Sequence, residues 1–261
     1  MRVEVDGIGV SVEILGQGPS KVLFVHGLGA SRTCWDEASR FFDPTRHTLV
    51  LPDLPGCGRS DKPEDHDYSM ESMASALEGV LSSLGFDAVH VVAHSMGCAV
   101  ALLLAKAGRV TLQSFVSAEG NLVPEDAFMS SKVARLKEPT FARVFSKWLK
   151  MVEDSLGPEP VRLHEVFLES LRACPPVALH RTSVSCLELT RSGDLARHFA
   201  ALRCPRLYVI GGRTLEERGL PAPAEAEDVE VLTIPGAGHF MMDDAEAFYP
   251  PVRQFVEGAQ S

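Results

Sequence analysis

The chain has 261 residues, of which 45% are hydrophobic and 23% charged, and this suits one domain that carries an insertion, or at most two domains. Such a composition supports a large buried core and argues against a disordered chain. Acidic side chains outnumber basic ones by 35 to 25, and no basic cluster is present, so a nucleic-acid partner is not expected.

The predicted elements begin with two strands at residues 2–5 and 9–15, joined by a turn at Asp6-Gly7. Up to residue 117, short apolar strands then alternate with helices. The further strands are predicted at 22–25, 48–51, 88–93 and 111–117, and the helices at 32–41, 97–107 and from the cap Ser69 to residue 84. This alternation indicates right-handed βαβ crossovers and a mostly parallel sheet with helices on both faces.

The alternation stops between residues 121 and 199, where the chain has a helical pattern throughout, interrupted at Pro and Gly positions. Strands are predicted again at 206–210 and 229–234, followed by a last helix near 243–256. A helical stretch between two parallel strands is an insertion over one end of the sheet. We therefore predict a core domain of residues 1–120 and 200–261 and a helical cap of residues 121–199.

The N-terminal segment lacks the apolar core of a signal peptide, and no run is long enough to span a bilayer. We expect a cytoplasmic protein with no membrane partner, either a monomer or a homodimer. The six cysteines show neither CxxC nor metal-ligand spacing. They are interpreted as reduced structural thiols, and no metal or cofactor is expected.

The segment Ala93-His94-Ser95-Met96-Gly97 joins an apolar strand to an apolar helix. This small-x-Ser-x-Gly pattern is typical of a nucleophile elbow, a sharp turn that only small neighbours allow. At the helix N-terminus the backbone dipole favours developing negative charge. A serine that merely caps a helix is the alternative, but the strand–turn–helix context favours a nucleophile.

Along nearly its whole length the chain resembles enzymes of the α/β-hydrolase fold. The matching pieces, in order, are the loop His26-Gly27, the loop of residues 53–60, the Ser95 turn, the helical insertion and the loop Gly236-Ala-Gly-His239. The resemblance implies the α/β-hydrolase fold with a helical cap. These motifs are specific for the superfamily but say little about the substrate.

The resemblance implies that His239 is the general base, because the family carries its histidine in this loop and the reaction needs a group that titrates near neutrality. It also implies an oxyanion hole made by the backbone N–H groups of Leu28 and Met96. Each such donor usually contributes ~3–4 kcal/mol of transition-state stabilisation. The other histidines are expected to bond locally or to lie on the surface or in the insertion.

The acidic member of the triad departs from the family pattern. Most of these enzymes carry an Asp after the next strand, where this chain has Thr214, or Leu215 in a shifted alignment. Some relatives, including a branch of the haloalkane dehalogenases, carry the acid one strand earlier, which is the position of Glu119 here. Glu119 is the preferred candidate, and Glu216 and Glu217 stay open as alternatives.

The cap resembles the helical roof over the pocket of this family, and a small apolar acyl or aromatic group should fit beneath it. The residues predicted to line the pocket are Trp35, Leu122, Phe128, Trp148 and Phe240. No basic cluster is found in the cap, which favours an uncharged small-molecule substrate.

The predicted reaction is hydrolysis of a carboxylic ester through an acyl-enzyme intermediate. Thioester, lactone and carbon–carbon bond hydrolysis need the same groups and stay open. A non-hydrolytic small-ligand receptor of the same fold is the alternative from another class. Dehalogenase and epoxide hydrolase activity are disfavoured, because those relatives carry Asp where this chain has Ser95.

Overall fold

A single sheet of eight strands lies at the centre of the computed structural model, which describes residues 1–156 and 161–259. The strands are β1 (Arg2–Val5), β2 (Ile8–Gly16), β3 (Ser20–Val25), β4 (His47–Pro52), β5 (Ala88–His94), β6 (Thr111–Ala118), β7 (Arg206–Gly211) and β8 (Val229–Ile234). Their order across the sheet is β1-β2-β4-β3-β5-β6-β7-β8. All eight predicted strands are confirmed, with ends that differ by at most two residues.

The sheet is parallel from β4 to β8, whereas β1 pairs antiparallel with β2 and β2 pairs antiparallel with β4. The predicted turn between β1 and β2 is confirmed, with positive φ at Asp6 and Gly7. Because parallel strands end at one edge, the loops after β3, β5, β6, β7 and β8 meet there. Ligands bind at this edge in open α/β sheets.

The helices are α1 (Met70–Ser83), α2 (Met96–Ala107), α3 (Phe128–Ala134), α4 (Glu138–Ser155), α5 (Arg162–Arg172), α6 (Pro176–Ser192), α7 (Asp194–Ala200), α8 (Gly212–Arg218) and α9 (Ala245–Gly258). As predicted, the Ser69 side chain caps α1, where it accepts a hydrogen bond from the N–H of Ser72. The predicted helix at 32–41 is instead a 3₁₀ helix, Arg32–Arg40. Its N-cap Ser31 makes no capping bond, because its hydroxyl bonds Thr33 and Ser170.

Both faces of the sheet are buried. On β3, Leu23 and Val25 belong to a cluster with α1, α2 and the helices before β7, whereas Val22 and Phe24 belong to a cluster with α9 and the 3₁₀ helix Arg32–Arg40. Adjacent side chains of a strand point to opposite faces, so the apolar runs of the sequence reflect burial on both sides. The fold is therefore the predicted α/β-hydrolase fold.

Between β6 and β7 the chain forms a 3₁₀ turn, Pro124–Ala127, and helices α3 to α7; we call residues 124–200 the helical insertion. Helix α6 joins the insertion to the start of α1. The Ser185 hydroxyl accepts the N–H of Met70 at 3.0 Å, and the Thr182 hydroxyl donates to the carbonyl of Tyr68 at 3.2 Å. Within residues 1–156 and 161–259, the helices are all too short or too polar to cross a membrane.

Candidate active site

Ser95 lies in the tight turn between β5 and α2 with φ of 53° and ψ of −125°. A positive φ costs a non-glycine residue energy, and it persists only where the surroundings enforce it. Here the enforcing contacts come from the end of β6. The N–H of Ser95 donates to the carbonyl of Ala118 at 3.0 Å, and the carbonyl of Ser95 accepts the N–H of Asn121 at 3.2 Å.

Gly97 allows this turn to approach the end of β3. A Cβ atom at residue 97 would lie 2.5 Å from the carbonyl oxygen of His26 and 2.6 Å from that of Val25. Backbone oxygens cannot retreat from such a contact without moving β3. The x-Ser-x-Gly pattern thus requires a small residue at position 97 because α2 packs closely against the end of β3.

The side chains of Glu119 and His239 are hydrogen-bonded, with 2.7 Å between Oε2 of Glu119 and Nδ1 of His239. The other carboxylate oxygen, Oε1, accepts the N–H of Gly211 at 3.0 Å. Glu119 reaches the imidazole from the end of β6, with φ of 43°, and its own N–H donates to the carbonyl of Val209. Of the carboxylates weighed from the sequence, the structure brings this one to His239.

Burial alone would raise the pKa of Glu119, but the hydrogen bond and the charge of His239 act in the opposite direction. The N–H of Gly211 and the hydroxyl of Thr214 add two further hydrogen bonds. Together these contacts hold the pKa of Glu119 below its ordinary value. Thr214, which occupies the usual Asp position, therefore hydrogen-bonds Glu119, although its hydroxyl cannot carry the negative charge of a carboxylate.

His94 holds the backbone of His239 from the other side. Its Nε2 donates to the carbonyl of His239 at 2.9 Å, and the two rings are 4.6 Å apart. Complete burial, followed by the nearby His239, lowers the pKa of His94 to about 3. His94 is therefore neutral near pH 7, and its role is to position the loop that carries His239. The sequence indicated only local bonding for His94.

Asn121 is a further contact of Ser95 that the sequence did not single out. The Ser95 hydroxyl donates to Oδ1 of Asn121 at 3.2 Å, and the Asn121 side chain is buried. Four consecutive residues, 118–121, thus supply the carboxylate beside His239 and hold both the backbone and the hydroxyl of Ser95. Only the position of this segment at the end of β6 could have suggested the contact.

Ser95 and His239 open into a cavity of about 340 Å³ between the sheet edge and the helical insertion. The predicted pocket residues Phe128, Trp148 and Phe240 line it, as do Leu28 and Met96. Met96 is the first residue of α2, so the helix itself does not use its N–H.

Two predicted pocket residues, Trp35 and Leu122, do not line the cavity. Trp35 is fully buried on the sheet face that α9 covers. Its ring lies 5.3 Å from that of Phe24 and 6.3 Å from that of Phe248. Leu122 is fully buried in the core cluster that includes α1 and α2. Both predictions were wrong because position in the sequence near a functional loop does not fix which way a side chain points.

Helix α8 starts directly after β7 and exposes Glu216 and Glu217. Glu217 lines the cavity, whereas Glu216 is not among the lining residues of the described chain. The cavity is also lined by charged and titratable side chains that the sequence did not place there: Asp126, Lys132, His164, Arg213 and Arg218. They come from four separate elements, with Arg213 and Arg218 together on α8, so no local sequence pattern could have grouped them.

A sequence model of the alpha/beta hydrolase family matches residues 22–250, so the chain belongs to that family. One curated relative is 2-hydroxy-6-oxononadienedioate/2-hydroxy-6-oxononatrienedioate hydrolase 2 of Pseudomonas putida. It is 37% identical over 101 residues, which are 37% of this chain and 35% of that enzyme. The chain thus matches only about a third of the length of such relatives.

Solved structures share the fold over the whole chain. An esterase from Thermogutta terrifontis has a TM-score of 0.77 at 23% identity, covering 100% of this chain and 99% of its own. A putative epoxide hydrolase from Pseudomonas aeruginosa has a TM-score of 0.78 at 21% identity, covering 100% and 95%. Proteins named for different reactions therefore share this architecture, and the reaction has to be argued from the site.

Proposed function

We propose that this chain hydrolyses a carboxylic ester, with Ser95 as nucleophile, His239 as general base and Glu119 as the acid that orients His239. The observation that supports it most is the 2.7 Å contact between Glu119 and Nδ1 of His239. This bond leaves Nε2 of His239 for proton transfer, and Ser95 lines the same cavity. The strained turn at Ser95 supports the assignment, because such backbone strain is concentrated at functional sites.

The reaction would proceed in two steps. The Ser95 hydroxyl turns from Asn121 to His239, transfers its proton to Nε2 and attacks the carbonyl carbon of the ester. The backbone N–H groups of Leu28 and Met96 stabilise the oxyanion, and His239 returns the proton to the departing alcohol. Water then attacks the acyl-enzyme with His239 as base, which releases the acid and restores Ser95.

The helical insertion is proposed to act as a cap over this site. Phe128, Trp148 and Phe167 belong to it and line the cavity together with Ser95. An apolar roof excludes water and thereby strengthens the electrostatic stabilisation of the oxyanion. It also provides apolar surface for the acyl chain of the substrate.

The test is hydrolysis of p-nitrophenyl esters of increasing chain length by the wild-type protein and by Ser95→Ala. We expect turnover by the wild type and a loss of at least ~10³-fold in the variant, since the nucleophile is removed. Intact-mass measurement after rapid quenching should show the acyl group on the wild type only. Equal rates for both proteins would contradict the proposal and favour a ligand-binding role without hydrolysis.

Carbon–carbon bond hydrolysis is the second candidate, favoured by the resemblance of 101 residues to the Pseudomonas putida hydrolase. Thioesters and lactones belong in the same substrate panel because they also need an acyl acceptor and an oxyanion hole. The ratio of kcat/KM between these classes would decide which bond is preferred.

A further inference from the structure

Two cations lie beside one aromatic ring, that of Phe128, which also contacts His239. The guanidinium carbon of Arg218 is 4.6 Å from the ring centre of Phe128, and Nζ of Lys132 is 5.8 Å from it. The same ring contacts His239 edge-on at 5.9 Å between ring centres. All three side chains line the cavity that holds Ser95.

The two cations come from different parts of the fold. Lys132 lies on α3 of the helical insertion, and Arg218 is the last residue of α8, which follows β7. Both are exposed, and neither forms an ion pair with a carboxylate in the described part of the chain. A cation beside an aromatic ring at the rim of a cavity still has its charge available for a ligand.

Among the described residues, the cavity carboxylates Asp126 and Glu217 form no ion pair with Lys132 or Arg218, although the charge of Arg218 acts on Asp126. Asp126 uses one oxygen, Oδ2, to accept the N–H groups of Leu122 and Val123, both at 2.9 Å, and burial raises its pKa. Glu217 is exposed beside Arg218. Lys132 and Arg218 thus keep their charge at the cavity, in a chain that has 25 basic and 35 acidic residues.

We propose that the substrate carries an anionic group that Lys132 and Arg218 bind beside Phe128, so that the preferred ester is a half-ester of a dicarboxylic acid. This proposal rests on the proposed ester hydrolysis and replaces the uncharged substrate expected from the sequence. The acyl carbonyl lies at Ser95, the chain runs past Phe128, and the free carboxylate lies at the rim near Lys132 and Arg218. An acidic protein repels anions in general, so cations such as Lys132 and Arg218 are needed to admit this one.

The test compares two substrates of equal length, mono-p-nitrophenyl glutarate and p-nitrophenyl valerate, which differ by a carboxylate in place of a methyl group. We expect the ratio of kcat/KM, glutarate over valerate, to fall ~3–5-fold in Lys132→Met and in Arg218→Met, mostly through KM. This magnitude is what one exposed charge pair contributes. The double variant should show the larger fall, and added salt should reduce the wild-type ratio.

Two matched controls remove exposed cations that do not line the cavity in the described chain. They are Lys147→Met on α4 and Arg135→Met at the end of α3, and both should keep the wild-type ratio. A ratio unchanged in the Lys132 and Arg218 variants would overturn the proposal. An equal loss on both esters would overturn it as well, because a charge-specific contact must discriminate between them.

Binding of glutarate to the Ser95→Ala protein, followed by titration calorimetry, separates this inference from the proposed reaction. We expect weak binding that weakens further by ~3–5-fold when Lys132→Met or Arg218→Met is added. Such a result supports the anion site even if neither ester is hydrolysed, in which case the proposed reaction alone fails. If glutarate does not bind while the esters are turned over, the anion site is refuted and the reaction stands.

Discussion

The Glu119 side chain is buried and still ionised, and its neighbours account for both. The side chain is only 6% exposed, yet the N–H of Gly211, the hydroxyl of Thr214 and the imidazole of His239 all donate to it. A carboxylate with three donors stays charged where an isolated one would take up a proton. Such a group can both orient an imidazole and stabilise its protonated form.

We therefore predict that Glu119→Gln lowers kcat by about 10³–10⁴-fold with a much smaller change in KM. The amide keeps the shape but cannot stabilise the imidazolium, and it favours the wrong tautomer of His239. Steady-state kinetics on a p-nitrophenyl ester provide the measurement. The matched control is Glu216→Gln on the exposed face of α8, which should keep wild-type kinetics. The assignment fails if the control loses activity and Glu119→Gln does not.

At the scale of elements, the site depends on how closely β5, α2 and β6 are joined. Residues 118–121 at the end of β6 hold Ser95 through backbone bonds, and Gly97 brings the first turn of α2 against the end of β3. The geometry of the Ser95 turn is thus set by the packing of whole elements, and a local change there should affect stability as well as the proposed activity.

Gly97→Ala is predicted to destabilise the fold by roughly 1–3 kcal/mol, the usual cost of adding a methyl group to a tightly packed site. The new Cβ would lie 2.5 Å from the carbonyl oxygen of His26, which forces α2 away from β3. Urea unfolding followed by circular dichroism measures the change. Gly258→Ala near the end of α9 is the matched control, since no described residue outside the adjoining helix backbone comes within 4 Å of its added Cβ. Equal stability of Gly97→Ala and wild type would contradict the packing argument.

At the scale of the whole molecule, several histidines are buried in the neutral form. Burial lowers the pKa of His26, lowers that of His90 to about 4 and lowers that of His94 to about 3. The ordinary pKa of histidine is 6.5. Between this pH and the lowered pKa of each buried histidine, the unfolded chain therefore binds protons that the folded chain does not. The free energy of unfolding must then fall as the pH is lowered below about 6.5.

We predict a clear loss of stability between pH 7 and pH 5, before carboxylates such as Glu119 take up protons. The window follows from the histidine shifts, because a carboxylate with a lowered pKa loses its contribution only at more acidic pH. Urea unfolding at both pH values provides the measurement. His90→Asn should reduce the difference, whereas Ser114→Ala, which removes the hydrogen-bond partner of His90 but keeps the ring, should not. An unchanged free energy of unfolding across this range would refute the argument.

The sequence predicted the strands, the Ser95 turn, the His239 loop and Glu119, because each lies in a local pattern tied to the end of a strand. It did not predict the direction of Trp35, since this side chain lies on the 3₁₀ helix Arg32–Arg40 and its direction depends on packing against Phe24 and α9. Nor could it predict that Lys132 and Arg218 meet at Phe128. These residues are far apart in the chain, and only the packing of α3 near α8 brings them together.

The position of Glu119 at the end of β6 affects which parts of this protein could vary during evolution. In the usual arrangement the loop after β7 must keep its aspartate, and that fixes the backbone around it. Here the carboxylate that contacts His239 lies at the end of β6, and α8, which follows β7 directly, adds only a hydrogen bond from the hydroxyl of Thr214. Apart from Thr214, the side chains of α8, with Arg218 at its end, are therefore free to change, and the substrate preference of the protein with them, while the contact between Glu119 and His239 is kept. Homologues with the β6 acid should vary most in α8, and swapping that helix between them should transfer selectivity without loss of turnover.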